Sequence, residues 1–82
     1  MYYVYIIKST LGKHYYIGYS ENVQTRLLQH NSGLVKSTKR YMPWEIVYTE
    51  EYLTKSEANR RELEIKSYKG GNAFKKLLPV KD

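Results

Sequence analysis

Cysteine is absent from this chain, and its absence excludes several kinds of chemistry at once. Without a thiol there is no disulfide, no thiolate ligand for a structural zinc ion and no cysteine nucleophile. A domain of 82 residues without such links needs dense apolar packing to be stable. The chain contains 10 tyrosines, one tryptophan and one phenylalanine, so aromatic rings are expected to form much of the core. Ten phenols also exceed what packing alone requires.

Long hydrophobic segments are absent as well. The apolar stretch Met1 to Ile7 is too short to cross a bilayer, and it lacks the basic start and the cleavage site of a secretion signal. The chain has no internal repeat, no low-complexity tract and no segment with the composition of a linker. We therefore expect one domain, residues 1–82, located in the cytoplasm and without a membrane partner.

Acidic residues are scarce in the first half of the chain. Residues 1–42 carry six lysines and arginines against one glutamate, whereas acidic and basic residues nearly balance in residues 43–82. The formal net charge of +6 is therefore concentrated in the first half. A concentrated positive field favours anionic partners, and nucleic acid is the commonest of them.

Two aromatic and β-branched segments predict an antiparallel hairpin. Tyr2–Lys8 suits a strand that is buried on both faces, and His14–Ser20 resumes as a second strand after a turn. In the second strand, Gly18 allows two interpretations. It marks a bulge or bend, or its bare backbone lets a ligand come close.

The rest of the chain predicts one more strand and two helices. Asn22 is a suitable N-cap for a helix over Val23–His30, and the third strand spans Trp44–Tyr52, with the pair Glu50-Glu51 at its solvent-exposed end. A second helix begins at the capping box formed by Thr54 and Glu57 and runs to about Tyr68. A short amphipathic tail is expected to pack back on the domain through Ala73, Phe74, Leu77 and Leu78.

Arg26 and His30 lie four residues apart and therefore share one face of the first helix. An anion held between them would relieve their repulsion, although a solvated surface explains the same spacing. A basic loop, residues 34–42, follows this helix and could hold phosphates with cations and hydroxyls. Its polar residues are Lys36, Ser37, Thr38, Lys39 and Arg40.

Glu62 is the most unusual residue of the second helix. Ala58 lies four residues before it and Ile65 three after, so its carboxylate falls on an apolar face. A carboxylate there costs several kcal/mol unless it is paired or coordinated. One interpretation is an ion pair with Lys66, or a buried face defined by Leu63 instead. The other is a ligand for a hard cation such as Mg²⁺.

These residue types suit phosphodiester hydrolysis. A metal ion on Glu62 could bind the scissile phosphate, Arg26 could neutralise the charge that grows on the phosphoryl oxygens, and a phenol or imidazole could accept a proton from water. A free phenol has a pKa near 10, so a tyrosine base would need nearby cations to lower it.

The ordered set of motifs resembles the GIY-YIG nuclease superfamily, in particular its small stand-alone members related to the N-terminal domain of the excinuclease C subunit. The first motif stands here as Tyr3-Val4-Tyr5 and the second, intact, as Tyr16-Ile17-Gly18. Arg26, His30 and Glu62 follow in the family's order. The resemblance covers nearly the whole chain. It implies an α+β fold in which a three-stranded antiparallel sheet is flanked by helices.

The resemblance also implies roles for individual residues. Tyr5 would accept a proton from water, Tyr16 would position phosphate or water, and Arg26 would stabilise the transition state. Glu62 would hold one Mg²⁺ or Mn²⁺ ion, and His30 would take part in proton transfer or phosphate contact. The nucleic acid would be bound by Gly18, Tyr19, Lys36, Lys39, Arg40 and Asn72.

Two features depart from the family pattern. Tyr3 and Val4 replace the glycine and isoleucine of the first motif, and Tyr19 stands where the repair nuclease has a lysine. A DNA-recognition domain is also missing from these 82 residues, so the expected preference is for branched, damaged or single-stranded DNA, or for a site chosen by a protein partner. Two alternatives to a nuclease stay open, a non-catalytic nucleic-acid-binding domain and a protein-interaction domain that uses exposed tyrosines. The oligomeric state is not predicted.

Overall fold

The structure of the protein is a computed structural model that describes residues 1–79; the last three residues of the predicted domain, 80–82, lie outside the described residues. Within residues 1–79 no helix has the length and apolar character needed to cross a bilayer. The regular elements, in chain order, are β1 (Tyr2–Ser9), β2 (Tyr15–Ser20), α1 (Val23–Asn31), a 3₁₀ turn (Lys39–Tyr41), β3 (Trp44–Tyr52), α2 (Lys55–Ser67) and α3 (Asn72–Lys75).

The three strands form one antiparallel sheet in the order β2-β1-β3, with β1 in the centre. The aromatic and β-branched composition of β1 suits this central position, because the central strand is covered on both faces. In the register, Tyr5 of β1 lies opposite Gly18 of β2 and Thr49 of β3. With helices on both faces, this is the predicted α+β fold, and the prediction is confirmed.

Alternating side chains of β1 pack into two separate hydrophobic cores, one on each face of the sheet. The α1 face is built on Tyr5, Ile7 and Trp44, with Val23 and Leu27 of α1 packed against them. The core of the α2 face consists of Val4, Ile6, Ala58, Ile65 and Phe74. The candidate residues Tyr5 of β1 and Tyr16 of β2 therefore lie on the α1 face of the sheet.

The helix starts follow the predicted caps. Asn22 Oδ1 accepts a hydrogen bond from the backbone N–H of Thr25 at 3.0 Å. At α2 the Thr54 hydroxyl oxygen accepts from the backbone N–H of Glu57, and the Glu57 carboxylate accepts from that of Thr54. In the tail, Phe74 and the two leucines pack on the α2 face as predicted, but Ala73 is exposed and the prediction for it is wrong.

Glu50 contradicts the expectation that it marks a solvent-exposed strand end. Its carboxylate is half-buried and accepts hydrogen bonds from the hydroxyls of Tyr48 and Tyr52. Arg61 of α2 donates two more, from Nε at 2.8 Å and from Nη2 at 2.9 Å. Burial by itself would raise the pKa of Glu50, but the hydrogen bonds from Arg61 and the two tyrosines outweigh it and lower that pKa to about 2. Only Glu51 of the pair is exposed.

Replacing Glu50 with glutamine is expected to lower the free energy of unfolding at pH 7 by about 1.5–3 kcal/mol, because hydrogen bonds to a charged group are lost. The folded-state pKa is depressed, so the stabilisation is complete above the usual value of 4.5 and is lost as the pH falls towards 2. Urea unfolding at pH 7 and at pH 3 checks both statements. Glu51→Gln is the control and should leave the stability nearly unchanged; equal losses in the two variants would contradict the account.

Candidate active site

Tyr5 is held in the α1-face core with its hydroxyl above the backbone of Gly18. The tyrosine is 1% exposed. A Cβ atom built on residue 18 would lie 2.7 Å from the Tyr5 hydroxyl oxygen, 2.8 Å from Tyr5 Cζ and 3.2 Å from Cε2 of Tyr16. The space above this glycine is thus filled by the protein's own phenol. Gly18 is buried, so the close approach that its bare backbone allows is made by Tyr5 of the same chain, and its predicted contact with nucleic acid stays a prediction.

Adding a methyl group at Gly18 is expected to displace the ring of Tyr5, because a Cβ contact below 3.0 Å forces a neighbour to move. Gly18→Ala should therefore cost about 1–3 kcal/mol of stability, the usual price of overpacking. Chemical unfolding measures this loss. Gly12→Ala is the matched control, since the nearest atom to its new Cβ would be 3.7 Å away. A Gly18→Ala variant as stable as the control would contradict the close packing described here.

His30 lies directly behind Tyr5. The imidazole is completely buried, with Nε2 2.9 Å from the Tyr5 hydroxyl oxygen and Nδ1 2.7 Å from the hydroxyl oxygen of Thr38. Thr38 is itself 1% exposed, and its hydroxyl is 3.3 Å from the carbonyl oxygen of Val35. These four residues form a continuous chain of hydrogen bonds that runs from the phenol into the interior.

The end of this chain fixes the positions of its protons. A carbonyl oxygen can only accept, so the Thr38 hydroxyl donates its single proton to Val35. The Thr38 oxygen is then left to accept from Nδ1–H of His30. The other ring nitrogen, Nε2, carries no proton in the neutral imidazole and accepts the O–H of Tyr5. Burial, and then the nearby charge of Arg26, lower the pKa of His30 to about 4, which keeps the ring neutral.

Two sequence-based expectations are corrected by this arrangement. Because His30 is buried and its lowered pKa keeps it neutral, it does not face Arg26 as a second cation on an exposed helix face, whereas the phosphate contact predicted for His30 stays a prediction. The hydroxyl of Thr38 is likewise turned inward to His30 and is closed to phosphate. Arg26 remains half-buried, with Nη1 donating to Gln29 Oε1 at 2.7 Å.

The loop that carries Thr38 is anchored by Asn31 and Trp44. The Asn31 side chain donates to the Trp44 carbonyl at 3.0 Å and accepts from its backbone N–H at 2.6 Å. The indole N–H of Trp44 then donates to the carbonyl of Thr38 at 2.8 Å. Because Trp44 is buried and begins β3, these contacts fix the loop against the sheet and place Thr38 against His30.

Tyr16 and Glu62 complete the surroundings of the Tyr5 hydroxyl. The Tyr16 ring is half-buried, with its centroid 4.8 Å from that of His30 and 6.3 Å from that of Tyr5. The pKa of Tyr5 is raised to about 12, mainly by burial; Tyr16 and the carboxylate of Glu62 contribute to the rise, while Arg26 opposes it. Side chains from β2, α1 and α2 are thus close enough to act on the hydroxyl of Tyr5 in β1.

Glu62 occupies the apolar face of α2 as predicted. It is 9% exposed, between the fully buried Ala58 and Ile65, whereas Leu63 is exposed, so the alternative face defined by Leu63 is wrong. The ion pair with Lys66 is present, with Nζ 2.6 Å from Glu62 Oε2. That ammonium already occupies the position of a cation beside the carboxylate.

A divalent ion fits this carboxylate only in an open site. Within residues 1–79 no three carboxylate, imidazole or thiolate groups are near enough to one another to enclose a metal ion. Mg²⁺ does not need such a cage, because it usually keeps several waters and is held by one or two carboxylates together with substrate phosphates. The donor chemistry of Glu62, a hard oxygen anion, matches that pattern.

The predicted nucleic-acid contacts differ in their exposure. The loop cations Lys36, Lys39 and Arg40 are all exposed, and two of them directly follow Thr38 along the chain. Tyr19, by contrast, packs on the α2 face, away from Tyr16. Asn72 is exposed at the start of α3, and no hydrogen bond in residues 1–79 connects its side chain to the residues around the Tyr5 hydroxyl.

Comparison with known proteins identifies relatives over most of the chain. The family model of the GIY-YIG catalytic domain matches residues 1–75. A UPF0213 protein of Staphylococcus epidermidis is 49% identical over 67 residues, which is 80% of each chain. A UPF0213 protein of Staphylococcus aureus is 44% identical over 98% of this chain and 94% of its own. The solution NMR structure of a UPF0213 protein from Bacillus halodurans is 35% identical and covers 89% of this chain and 90% of that one, with a TM-score of 0.47.

Proposed function

Because the chain belongs to the GIY-YIG family, we propose that it is an endonuclease that hydrolyses DNA phosphodiester bonds with one divalent ion, Mg²⁺ or Mn²⁺. One observation carries the proposal: groups from three different elements, β2, α1 and α2, act on the hydroxyl of Tyr5. Packing alone does not explain why a buried phenol, a permanent cation and a nearly buried carboxylate converge. A hydrolytic site needs a group of each of these kinds.

Glu62 is proposed as the metal ligand. A bound divalent ion would neutralise phosphate charge and acidify a water molecule, which is the chemistry that a hydrolytic site obtains from a metal. Glu62 is 9% exposed and stands between the fully buried Ala58 and Ile65 on the same face of α2. Lys66 is about half exposed, so its ammonium can turn out to solvent and leave both carboxylate oxygens free.

Arg26 and Tyr16 are proposed to bind the phosphate. A guanidinium is permanently charged and presents several N–H donors, so Arg26 stabilises the negative charge that develops on the phosphoryl oxygens. Its hydrogen bond to Gln29 holds the head group in place on α1. The half-buried phenol of Tyr16 supplies a further donor for a phosphoryl oxygen or for the attacking water.

Tyr5 is proposed to accept a proton from the attacking water and to pass its own proton to His30. With a pKa raised to about 12, Tyr5 is a poor source of free phenolate at neutral pH. The O–H of Tyr5 already points at the bare Nε2 of His30, at 2.9 Å. Transfer along that bond leaves the Tyr5 oxygen able to bind the proton of the water without a free phenolate. Because burial holds the pKa of His30 at about 4, the imidazolium returns its proton to the Tyr5 oxygen, which in turn gives up the proton taken from water to the leaving oxygen.

Thr38 is a positioning residue in this scheme, because its oxygen fixes the tautomer of His30. Thr38→Val is expected to lower the cleavage rate by about tenfold or more and to cost about 1–3 kcal/mol of stability, since Nδ1–H loses its acceptor. Thr38→Ser keeps the hydroxyl and should restore both. Single-turnover rates between pH 5 and pH 9 provide the measurement. A purely structural role would lower stability without lowering the cleavage rate of the folded variant at any of these pH values, and that result would contradict the scheme.

Substrate choice is proposed to come from DNA shape or from a protein partner in the cytoplasm. The exposed cations Lys36, Lys39 and Arg40 suit contacts with backbone phosphates, and such contacts carry no sequence information. Branched, damaged or single-stranded DNA is therefore the proposed substrate class.

The experiment is cleavage of a labelled panel that contains supercoiled, single-stranded, flap and four-way DNA. Each substrate is incubated with Mg²⁺, with Mn²⁺ or with chelator. The proposal expects cleavage of at least one substrate with metal and none with chelator. Binding without cleavage of any substrate would favour the alternative, a nucleic-acid-binding domain of this fold without turnover.

A further inference from the structure

A concave surface separate from the candidate active site lies at the turn end of the β1-β2 hairpin, on the α2 face of the sheet. It consists of two cavities of about 270 Å³ and 380 Å³ that share Lys13, Tyr15 and Leu78. We refer to this surface as the lysine pocket. The first cavity is lined by Lys8, Lys13, Tyr15, Val47, Leu78 and Pro79, and the second adds Gly70, Phe74 and Lys75.

The charges of the lysine pocket all have one sign. Three ammonium groups line it, from Lys8, Lys13 and Lys75, and no carboxylate does so in the described part of the chain. Glu45 is the cross-strand neighbour of Lys8 in the sheet register, yet it forms no ion pair with Lys8 within 4.0 Å. A surface of this kind favours an anionic ligand.

The floor of the pocket is apolar and aromatic. Tyr15 is 37% exposed and meets Phe74 edge to face, with ring centroids 5.3 Å apart. Val47 and Leu78 complete the floor. An aromatic floor beside ammonium groups is the combination that binds single-stranded nucleic acid, in which bases stack on aromatic rings while cations follow the phosphates. A duplex keeps its bases stacked inside and cannot use such a floor.

The pocket is connected to the candidate active site through β2. Tyr15 and Tyr16 are consecutive, and their side chains therefore lie on opposite faces of the sheet. Since β2 is an edge strand, a flexible single strand that passes Tyr16 has only this one strand to round before it reaches Tyr15. A rigid double helix cannot follow that path.

From these observations we propose that the lysine pocket is a binding site for single-stranded DNA that flanks the scissile phosphate, with an unstacked base on Tyr15 and phosphates on Lys13 and Lys75. The inference rests on the proposed function, because it assigns the pocket to the same substrate. Its test is nevertheless separate, since binding can be measured without metal and without cleavage.

The test is fluorescence anisotropy with a fluorescein-labelled oligothymidylate of about twelve nucleotides, in the presence of chelator and at several salt concentrations. Lys13→Gln/Lys75→Gln is compared with Lys55→Gln/Arg60→Gln, which removes two exposed charges from α2 that are not part of the pocket lining. The pocket variant should bind about tenfold more weakly than the control variant. For this variant the plot of log affinity against log salt should be less steep than for the wild type by about 1.4, or about 0.7 for each lost phosphate contact.

The aromatic contribution is tested with Tyr15→Leu, and Tyr15→Phe is the matched control that keeps the ring. Loss of the stacking surface is expected to weaken binding of the oligothymidylate about tenfold, whereas the phenylalanine variant should bind as the wild type does. A hairpin duplex of equal charge should be insensitive to both substitutions. Melting curves establish that every variant is folded.

Three results would overturn the assignment. Equal losses in the pocket and control double variants would show that binding depends only on overall charge. If Tyr15→Leu bound the oligothymidylate as tightly as the wild type, the proposed stacking of a base on Tyr15 would be wrong. A labelled oligoglutamate that binds as tightly, and through the same lysines, would show recognition of negative charge alone. Failure of wild type to cleave any DNA would overturn the proposed function and leave these binding results unaffected.

Discussion

Tyr5→Phe is expected to lower the rate of metal-dependent DNA cleavage by about a hundred- to ten-thousand-fold, the range contributed by a positioned proton-transfer group. The substitution removes only the hydroxyl oxygen and keeps the ring that fills the α1-face core. It also leaves Nε2 of His30 without its hydrogen-bond partner, so a stability loss of about 1–3 kcal/mol is expected as well. Single-turnover kinetics on the best substrate of the panel measures the rate.

Tyr41→Phe is a suitable control for this experiment. Tyr41 is half-buried against the same core, and its ring stacks on His14 with centroids 3.8 Å apart, outside the Tyr5-His30-Thr38 chain. Its hydroxyl should contribute nothing to the rate. A Tyr5→Phe variant that is folded and cleaves DNA as fast as Tyr41→Phe would remove Tyr5 from the chemistry.

Glu62→Gln is expected to produce the other large effect, a loss of cleavage of about a thousand-fold or more, because the proposed ligand would lose its charge while keeping its shape. Stability should change little, since the ion pair that is broken has a half-exposed partner, Lys66. A readout besides activity is the melting temperature, which metal binding raises. Mn²⁺ should raise it for the wild type and not for the variant.

Glu64→Gln is the control on the same helix. Glu64 is exposed and paired with Arg61, so its neutralisation should leave both cleavage and the Mn²⁺-dependent melting temperature as they are in the wild type. If Glu62→Gln kept the Mn²⁺ effect, the metal would bind elsewhere, and the assignment of Glu62 would be wrong.

The parts of the site that follow from local patterns could be predicted from the sequence. Glu62 is predicted on a buried face because Ala58 and Ile65 stand at helical spacing from it, and the structure has that face. The capping box at Thr54 likewise depends on residues only three apart. The resemblance adds the roles, which no spacing could supply for Tyr5 among ten tyrosines.

The hydrogen-bond chain behind Tyr5 could not be predicted in this way. Thr38 meets His30 only because the loop between them folds back, and Trp44 and Asn31 anchor that loop through contacts between separate elements. No periodicity reports such a contact. A serine or threonine in a basic loop is more naturally interpreted as a phosphate contact, and that interpretation is wrong for Thr38.

The surroundings of Gly18 and Glu50 could not be predicted from the local sequence either. The close approach at Gly18 comes from a side chain on the neighbouring strand, so it depends on the register and not on the local sequence. Glu50 is half-buried because Arg61, eleven residues away on α2, reaches it, although a pair of adjacent glutamates ordinarily marks an exposed end. In both cases a tertiary contact overrides the local pattern.

The measurement that tests the central claim most directly is the cleavage rate of the Tyr5→Phe/Glu62→Gln double variant, compared with the two single variants under one metal concentration. Residues that act as one catalytic unit are strongly non-additive. If Tyr5 and Glu62 belong to one hydrolytic centre, the double variant should be about as slow as the slower single variant. Losses that multiply, or a single variant as fast as the wild type, would contradict the claim that these residues form one centre.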